Sequence, residues 1–230
     1  MNTTHELIPL DQDLWTVTQP HRFYGIPVGT RMTIVRLQDG ALWLHSPIQF
    51  NDKLKSALEK IGVVKYLIAP NRYHHMYLES FVEGYPEALV YAAPGLVTKR
   101  KDILFHRSLN NNEPQIWSEE IKSISIAGIP MLDEIAFLHI KTKTLILTDL
   151  CFNYGSTKTR LLRWYRKLED CDNKFSFARL IKIGIRDRTA LRKSIAAILE
   201  WDFDRIIVPH GNVVDTHGKQ IFARAFQGLL

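Results

Sequence analysis

The sequence lacks several features that would assign it to common classes of protein. Its two cysteines, Cys151 and Cys171, have no CxxC spacing, which excludes a disulfide framework. No segment approaches the ~20 consecutive apolar residues that a membrane span requires. The first residues also lack the basic start and apolar core of a signal peptide. We therefore expect a reduced, cytoplasmic protein without membrane contact.

Signature motifs of several enzyme and nucleic-acid-binding families are missing as well. There is no GxxxxGK[ST] phosphate loop and no GxSxG nucleophile elbow. The formal net charge is +6, and basic residues are dense over 98–101, 157–167 and 182–193. A solvated helix face explains such residues, and no nucleic-acid-binding signature accompanies them. A nucleic-acid partner is therefore not expected.

The remaining composition is typical of a soluble globular protein. Hydrophobic residues make up 46% of the 230 positions and charged residues 23%. This length suits one α/β or sandwich-type domain. We therefore expect a single domain over residues 1–230.

The first half of the sequence alternates predicted strands with predicted helices. Residues 51–62 have apolar side chains at helical spacing, a capping Asn51 or Asp52 and a terminating glycine. An Asp-Gly pair between two β-rich segments predicts a hairpin. Strands are predicted over 14–19, 31–37, 41–46 and 63–69, a strand and turn over 87–95, and a second helix over 74–84. This order is typical of a sheet with crossover helices.

The second half repeats this alternation. Residues 134–140 and 144–150 are β-rich and joined by a short turn, which predicts another hairpin. Glu134 is an isolated acid and is interpreted as a surface or turn residue. The other predicted elements are strands over 121–128 and 205–211 and helices over 157–170, 188–202 and 219–230.

Polar and ionisable residues follow three apolar strands. They occur in "LIAPNRYHH" (67–75), in "TLILTDL" at Asp149 and in "RIIVPHG" at His210. Burying a lone carboxylate or imidazole is costly unless it is paired or bound to a metal. Each residue also has a structural explanation: Asp149 can cap a turn, His210 can orient a loop, and His74 or His75 can face solvent.

These three segments, in this order, resemble the metallo-β-lactamase superfamily. The resemblance extends from about Leu14 to His217, with Asp149 matching the aspartate after the "LILT" strand and His210 matching the histidine of "PHG". It implies an α/β fold, a four-layer αββα sandwich of two mixed β-sheets. It also implies a metal site along one edge, between the sheets.

The histidine motif of that superfamily is altered in this sequence. The HxHxDH pattern falls on "NRYHHM" (71–76), and the third-motif histidine expected near 126–134 is missing. In an ungapped alignment, the four conserved motif positions are occupied by Asn71, Tyr73, His75 and Met76. The sequence therefore resembles a degenerate branch of the superfamily, an uncharacterised domain family.

The resemblance implies that one of the two metal sites is lost and the other reduced. The candidate metal ligands are Asp149, His210 and either His75 or, if the alignment shifts by one residue, His74. Two imidazoles and a carboxylate suit one divalent metal, zinc or ferrous iron. Asp149 is also the candidate catalytic residue, since it can act as a base if the metal lies elsewhere.

Two further residues and three possible functions complete these expectations. His45 and Asn71 are candidates for an additional ligand or for groups that hydrogen-bond to the ligands. The first function is a mononuclear metal-dependent hydrolase acting on an unidentified small molecule. The alternative is a non-catalytic pseudoenzyme that binds a small molecule or a protein partner. An iron-dependent redox role is also compatible with two histidines and a carboxylate.

Overall fold

Two mixed β-sheets face each other at the centre of the molecule. The structure is a computed structural model that describes residues 6–110 and 115–230. The seven-stranded sheet contains, in spatial order, β1 (Ile8–Asp11), β2 (Leu14–Gln19), β5 (Thr30–Arg36), β6 (Ala41–His45), β7 (Val63–Ala69), β8 (Leu89–Ala92) and β9 (Arg107–Ser108). The four-stranded sheet contains β10 (Ile121–Ser125), β11 (Ile135–His139), β12 (Thr144–Ile146) and β15 (Arg205–Ile207). Two short pairs lie outside these sheets: β3 (Arg22–Phe23) with β4 (Ile26–Pro27), and β13 (Phe152–Tyr154) with β14 (Lys174–Ser176).

Helices lie on the outside of the two sheets. They are α1 (Asp52–Glu59), α2 (Leu78–Gly84), α3 (Pro94–Lys99), α4 (Arg160–Leu168), α5 (Arg179–Ile183), α6 (Arg188–Leu199) and α7 (Gly218–Ala225). Within the described ranges, none of them has the length and apolar character needed to cross a bilayer. The crossovers through α1 and α2 make β6, β7 and β8 parallel, whereas hairpins make β2, β5 and β6 antiparallel.

Three hydrophobic clusters hold the layers together. The central cluster joins the two sheets, with Trp43 and Tyr66 from one sheet packed near Phe137 and Ile146 from the other. A second cluster packs the seven-stranded sheet against α1, α2 and α3. The third packs the four-stranded sheet against α6 and α7. This is the predicted αββα sandwich, and burial of both faces of each sheet explains its continuous apolar strands.

Most predicted elements are present, but their ends differ near the candidate site. Asn51 caps α1 as predicted, since its side chain accepts a hydrogen bond from the Leu54 amide. The predicted strand over 144–150 ends at Ile146, and the predicted helix over 74–84 begins at Leu78. The residues that remain outside these elements form the loops that carry the candidate ligands. Helix α3 and the β13–β14 pair were not predicted from the sequence.

Candidate metal centre

The loop after β7 is organised by Asn71. Its side-chain oxygen accepts hydrogen bonds from the amides of Tyr73 and His74, both at 2.9 Å. Its side-chain nitrogen donates to Oδ2 of Asp149 at 2.7 Å. Asn71 is fully buried, so these bonds have no competition from water. One side chain therefore fixes both the backbone that carries His74 and the carboxylate opposite it.

The loop after β12 is held by a buried acid. Glu134 is inaccessible to solvent and accepts hydrogen bonds from the amides of Thr148, Asp149 and Leu150 at 2.8, 2.7 and 2.9 Å. Burial, together with the nearby charge of Asp149, raises the pKa of Glu134 to about 8, although the three amides favour its charged form. The interpretation of Glu134 as a surface or turn residue was therefore wrong.

The loop after β15 is fixed by contacts from the other sheet. The guanidinium of Arg31, on β5, donates to the carbonyls of Val208 and Gly211. Burial lowers the pKa of Arg31 to about 10. Gly211 has φ +109°, and a Cβ atom there would lie 2.1 Å from the Asn153 carbonyl oxygen. Only glycine fits this position, which explains the "HG" pair in the sequence.

His210 is oriented by the loop that leads into β5. Its Nδ1 lies 2.7 Å from the carbonyl oxygen of Gly29. Because a carbonyl can only accept, Nδ1 carries a proton and the lone pair of a neutral ring is on Nε2. The ring also stacks on Phe152, with centroids 5.6 Å apart. The lone pair is thus directed at Asp149 and His74.

Three side chains converge to form a triangle of potential ligand atoms, which we call the His-Asp-His cluster. Nε2 of His74 lies 3.2 Å from Nε2 of His210 and 3.4 Å from Oδ1 of Asp149. The third side, from His210 Nε2 to Asp149 Oδ1, is 3.1 Å. In the described part of the chain, no other group of three histidine, cysteine or acidic side chains comes this close together.

The dimensions of the cluster fit a metal ion. Ligands at about 2.0–2.1 Å in a tetrahedron lie about 3.3 Å apart, close to all three measured separations. Burial by itself would raise the pKa of Asp149, but the adjacent imidazoles of His74 and His210 hold it well below its usual range. Asp149 is therefore ionised, and the carbonyl of Gly29 fixes the tautomer of His210, as expected of ligands.

The two other predicted histidines lie outside the cluster. Both ring nitrogens of His75 face cations, with Nδ1 at 2.9 Å from Arg100 and Nε2 at 3.2 Å from Lys99. Burial, Lys99 and Arg100 lower the pKa of His75 to about 4. Between the two alternatives from the sequence, this geometry fits His74 and does not fit His75, because the irregular turn over 70–77 directs the two neighbouring rings to opposite sides.

His45 occupies a different position. It is fully buried on β6, stacked on Trp43, with Nε2 at 3.4 Å from the hydroxyl of Thr148. Burial and then the charge of His74 lower the pKa of His45 to about 3. His45 therefore contacts the residue before Asp149 and is not part of the ligand triangle. Asn71, in contrast, hydrogen-bonds directly to Asp149, the second role predicted for it.

The cluster opens into a cavity of about 420 Å³. The walls are mainly aromatic and aliphatic, and include Phe23, Tyr73, Met76, Tyr77 and Phe152. A further histidine, His21, lines the same space. Its pKa is lowered by burial and by the nearby His210 and His74. Sequence reasoning assigned no role to His21 or Arg31, because their partners lie far away along the chain, and it placed Glu134 at the surface or in a turn.

A family model described as "Domain of unknown function (DUF4336)" matches residues 11–164, more than half of the chain. The chain belongs to the DUF4336 family. The matched segment contains Asn71, His74 and Asp149, whereas His210 lies beyond it. A comparison with curated proteins gives no significant match.

Solved structures show the fold of this DUF4336 protein. A metallo-β-lactamase from Pontibacter korlensis is 11% identical, with a TM-score of 0.65 over 97% of this chain and 98% of its own. The metallo-β-lactamase FIM-1 from Pseudomonas aeruginosa, in its mono-zinc form, is 12% identical, with a TM-score of 0.67 over 98% and 96%.

A third match extends the comparison beyond β-lactamases. The metal-soaked Flv1 flavodiiron core from Synechocystis is 11% identical, with a TM-score of 0.66 over 97% of this chain and 60% of that one. At such low identities these similarities establish the metallo-β-lactamase fold, and the chemistry has to be argued from the site itself.

Proposed function

We propose that this DUF4336 protein binds one divalent metal ion through His74, Asp149 and His210 and uses it to hydrolyse a small apolar or aromatic molecule. The observation that carries the proposal is the ligand triangle, whose sides of 3.1–3.4 Å match a metal coordination shell and which lies at the wall of a cavity. The tautomer of His210, set by Gly29, supports the same conclusion.

A single metal is favoured over a pair. The side-chain nitrogen of Asn71 donates to Oδ2 of Asp149, so one oxygen of the carboxylate is already engaged while Oδ1 faces the histidines. In the superfamily that the sequence resembles, this aspartate bridges two metals. Here Asn71 stands at a position where that superfamily has a ligand of the other metal, and an amide nitrogen is a donor that cannot bind a cation.

The protein side chains supply positioning and proton transfer. A divalent ion in such a site polarises a carbonyl or phosphoryl oxygen and lowers the pKa of water. Asn71 keeps Asp149 in place, and Phe152 keeps the His210 ring in place by stacking. His21, which the lowered pKa keeps neutral near pH 7, lines the cavity and is our candidate for exchanging a proton with the substrate.

The cavity favours a substrate with an apolar body. Its lining is dominated by aromatic, aliphatic and methionine side chains, and the cationic residue among them is Lys99, whose ammonium group lies 5.5 Å from the Tyr73 ring centroid. An apolar cavity with a few convergent polar groups is the usual form of a small-molecule site. We infer esters, thioesters or amides of apolar acids as the substrate class to test first.

Zinc and ferrous iron both accept two imidazoles and a carboxylate. Elemental analysis of protein purified without chelators or a nickel resin distinguishes them. We expect about one equivalent of a single metal per chain. Absence of metal after growth with added zinc and iron would contradict the proposal.

Neighbouring histidines provide a matched test of the ligand set. His74→Ala should abolish stoichiometric metal binding, because it removes one corner of the triangle. His75→Ala should retain about one equivalent, because its ring faces Lys99 and Arg100. Metal content and thermal unfolding of both variants, with and without added metal, give the readout. Equal metal content in the two variants would contradict the assignment.

Catalysis should differ from that of di-zinc enzymes. We expect no strong turnover of a β-lactam or a phosphodiester, because paired metals that stabilise attacking and leaving oxygens need two complete sites. A panel of apolar esters, thioesters and amides tests the positive part of the proposal. Rapid β-lactam hydrolysis with two metals bound per chain would refute the mononuclear assignment.

One observation favours a non-catalytic binding protein as the second candidate. In the ungapped alignment His75 stands where the superfamily has the aspartate that orients the attacking nucleophile, and here its ring is held by Lys99 and Arg100. A metal-loaded protein that binds apolar esters stoichiometrically and never turns them over would support this alternative.

A further inference from the structure

An exposed apolar stripe runs along α4. Leu161, Trp164 and Leu168 are 74%, 61% and 45% exposed, and α4 has no buried residue. Their spacing of three and four residues places them on one face of the helix. On a surface otherwise open to water, a tryptophan between two leucines indicates a contact with something less polar than water.

The surroundings of this stripe are strongly basic. The segment 157–188 contains ten lysines and arginines and four acidic residues, an excess that equals the net charge of +6 of the entire chain. Lys158, Arg160 and Lys167 form no salt bridge with any acidic side chain of the described residues. Their charges are therefore available to an external partner.

Helix α5 lies next to the end of α4 and also carries exposed apolar side chains. Leu180 and Ile183 are 47% and 73% exposed, and they lie among Arg179 and Lys182. The two helices are joined directly, because the amide of Leu180 donates to the carboxylate of Glu169 at 2.8 Å. Leu180 also lines the cavity, so the surface adjoins the entrance to the His-Asp-His cluster.

We propose that α4 and α5 form a docking surface for an anionic lipid bilayer. Interfacial helices combine Leu and Trp on one face with Lys and Arg beside them, and they lie in the plane of the headgroups. Tryptophan prefers this interface, and basic side chains are attracted to anionic headgroups. The basic side chains therefore call for a partner with an anionic surface, and the apolar stripe calls for one with an apolar interior. An anionic bilayer has both.

This surface departs from the expectation of no membrane contact. That expectation rested on the absence of a spanning segment, whereas a helix lying on a bilayer needs only one apolar face. The inference does not depend on the proposed hydrolase. Because the surface adjoins the cavity, docking would place the cavity mouth near the bilayer, where apolar molecules accumulate.

Flotation of the full chain with lipid vesicles tests the proposal. We expect binding to vesicles of phosphatidylglycerol mixed with phosphatidylcholine, and at least about tenfold weaker binding to phosphatidylcholine alone. Binding to the anionic vesicles should weaken with added salt. Failure to bind anionic vesicles at low salt would overturn the proposal.

Two variants separate the apolar and the electrostatic contributions. The first replaces the apolar stripe with serine: Leu161→Ser, Trp164→Ser and Leu168→Ser. The second reverses charges: Lys158→Glu, Arg160→Glu and Lys167→Glu. Each should weaken binding to anionic vesicles about tenfold or more. A matched control replaces three apolar residues of comparable exposure elsewhere: Val63→Ser, Leu104→Ser and Ile116→Ser.

The controls decide between competing partners. The control variant should bind vesicles like the wild type, and circular dichroism should show that all variants are folded. Unchanged vesicle binding by both surface variants would overturn the proposal. Tighter binding to RNA or DNA than to anionic vesicles would instead identify a nucleic-acid surface. A dimer that the serine variant dissociates, without vesicle binding, would identify a self-association interface.

Discussion

At the scale of single residues, the geometry of the centre depends on buried groups that do not touch the proposed metal. Glu134 binds three consecutive amides around Asp149, and Asn71 binds both Asp149 and the backbone of His74. Such groups determine how ligands point, and their loss typically lowers metal affinity 10–100-fold. At these residues, a change of a single side-chain atom should therefore have a measurable effect on metal affinity.

Glu134→Gln is the sharpest of these changes. Glutamine has the same shape, but its amide nitrogen cannot accept, so at least one of the three backbone amides loses its partner. We expect a loss of about 1–3 kcal/mol in the free energy of unfolding of the metal-free protein. Metal affinity should fall by about tenfold or more. Denaturant titration and metal titration measure the two effects.

Glu79→Gln serves as the matched control for that variant. Glu79 lies on α2 with its side chain 68% exposed, and its contact is a 3.6 Å ion pair with Arg100. A surface pair of this kind contributes little to stability. Equal stability and metal affinity for the two glutamine variants would show that Glu134 does not organise the centre.

At the scale of elements, Arg31 connects strand β5 of one sheet to the loop after β15 of the other. Its guanidinium donates to two carbonyls of that loop, and it is only 8% exposed. The connection links two sheets through a buried charged group that forms no ion pair with an acidic side chain of the described residues. The planar guanidinium carries several N–H donors in a fixed fork, so this one side chain can serve two carbonyl acceptors at once.

Arg31→Met should therefore loosen the His210 loop. Methionine keeps the apolar volume but leaves the carbonyls of Val208 and Gly211 without this donor. We expect a loss of about 2–4 kcal/mol in the free energy of unfolding, at about 1–3 kcal/mol for each buried acceptor, partly offset by removal of a buried charge. Metal affinity should fall as well, because His210 lies in the same loop, between Val208 and Gly211.

An exposed arginine with a similar bond provides the comparison. Arg22 also donates to a backbone carbonyl, that of Gly25, but on the surface. Arg22→Met should change stability by no more than about 0.5 kcal/mol. If both methionine variants are as stable as the wild type, the connection between sheets does not depend on Arg31.

At the scale of the whole molecule, buried histidines should make the fold sensitive to acid. His139 is 1% exposed, with Nδ1 at 2.8 Å from the hydroxyl of Thr142. Burial and then Lys141 lower its pKa to about 4. Between pH 6.5 and 4 the unfolded chain therefore binds a proton that the folded chain does not, and stability falls as pH decreases through this range.

His139→Asn isolates this contribution, since asparagine can keep a bond to Thr142 without titrating. The stability of the metal-free wild type, relative to this variant, should decrease by about 3 kcal/mol from pH 7 to pH 4 and change little below that. Chemical unfolding at several pH values measures the difference. A constant difference across this range would show that the fold does not lower the pKa of His139.

Local patterns determined much of the architecture. Alternation of apolar and polar residues, apolar runs and the cap at Asn51 predicted strands β2, β6 and β7 and helix α1. These signals suffice because each element depends on neighbours within a few residues. Asp149 and His210 were predicted for a related reason. Polar groups that directly follow buried strands lie at a sheet edge whatever the remaining packing is.

The tertiary structure decided what local patterns cannot specify. That the ring of His74, and not that of His75, lies beside Asp149 and His210 depends on the turn over 70–77. This turn has no periodicity, and its orientation is set by Asn71 and its bond to Asp149, 78 residues away. The burial of Glu134 and the reach of Arg31 across 180 residues to Gly211 likewise exist only once the sheets have packed. Contacts of this kind are satisfied hydrogen bonds between distant segments, and nothing in the local sequence encodes the partner.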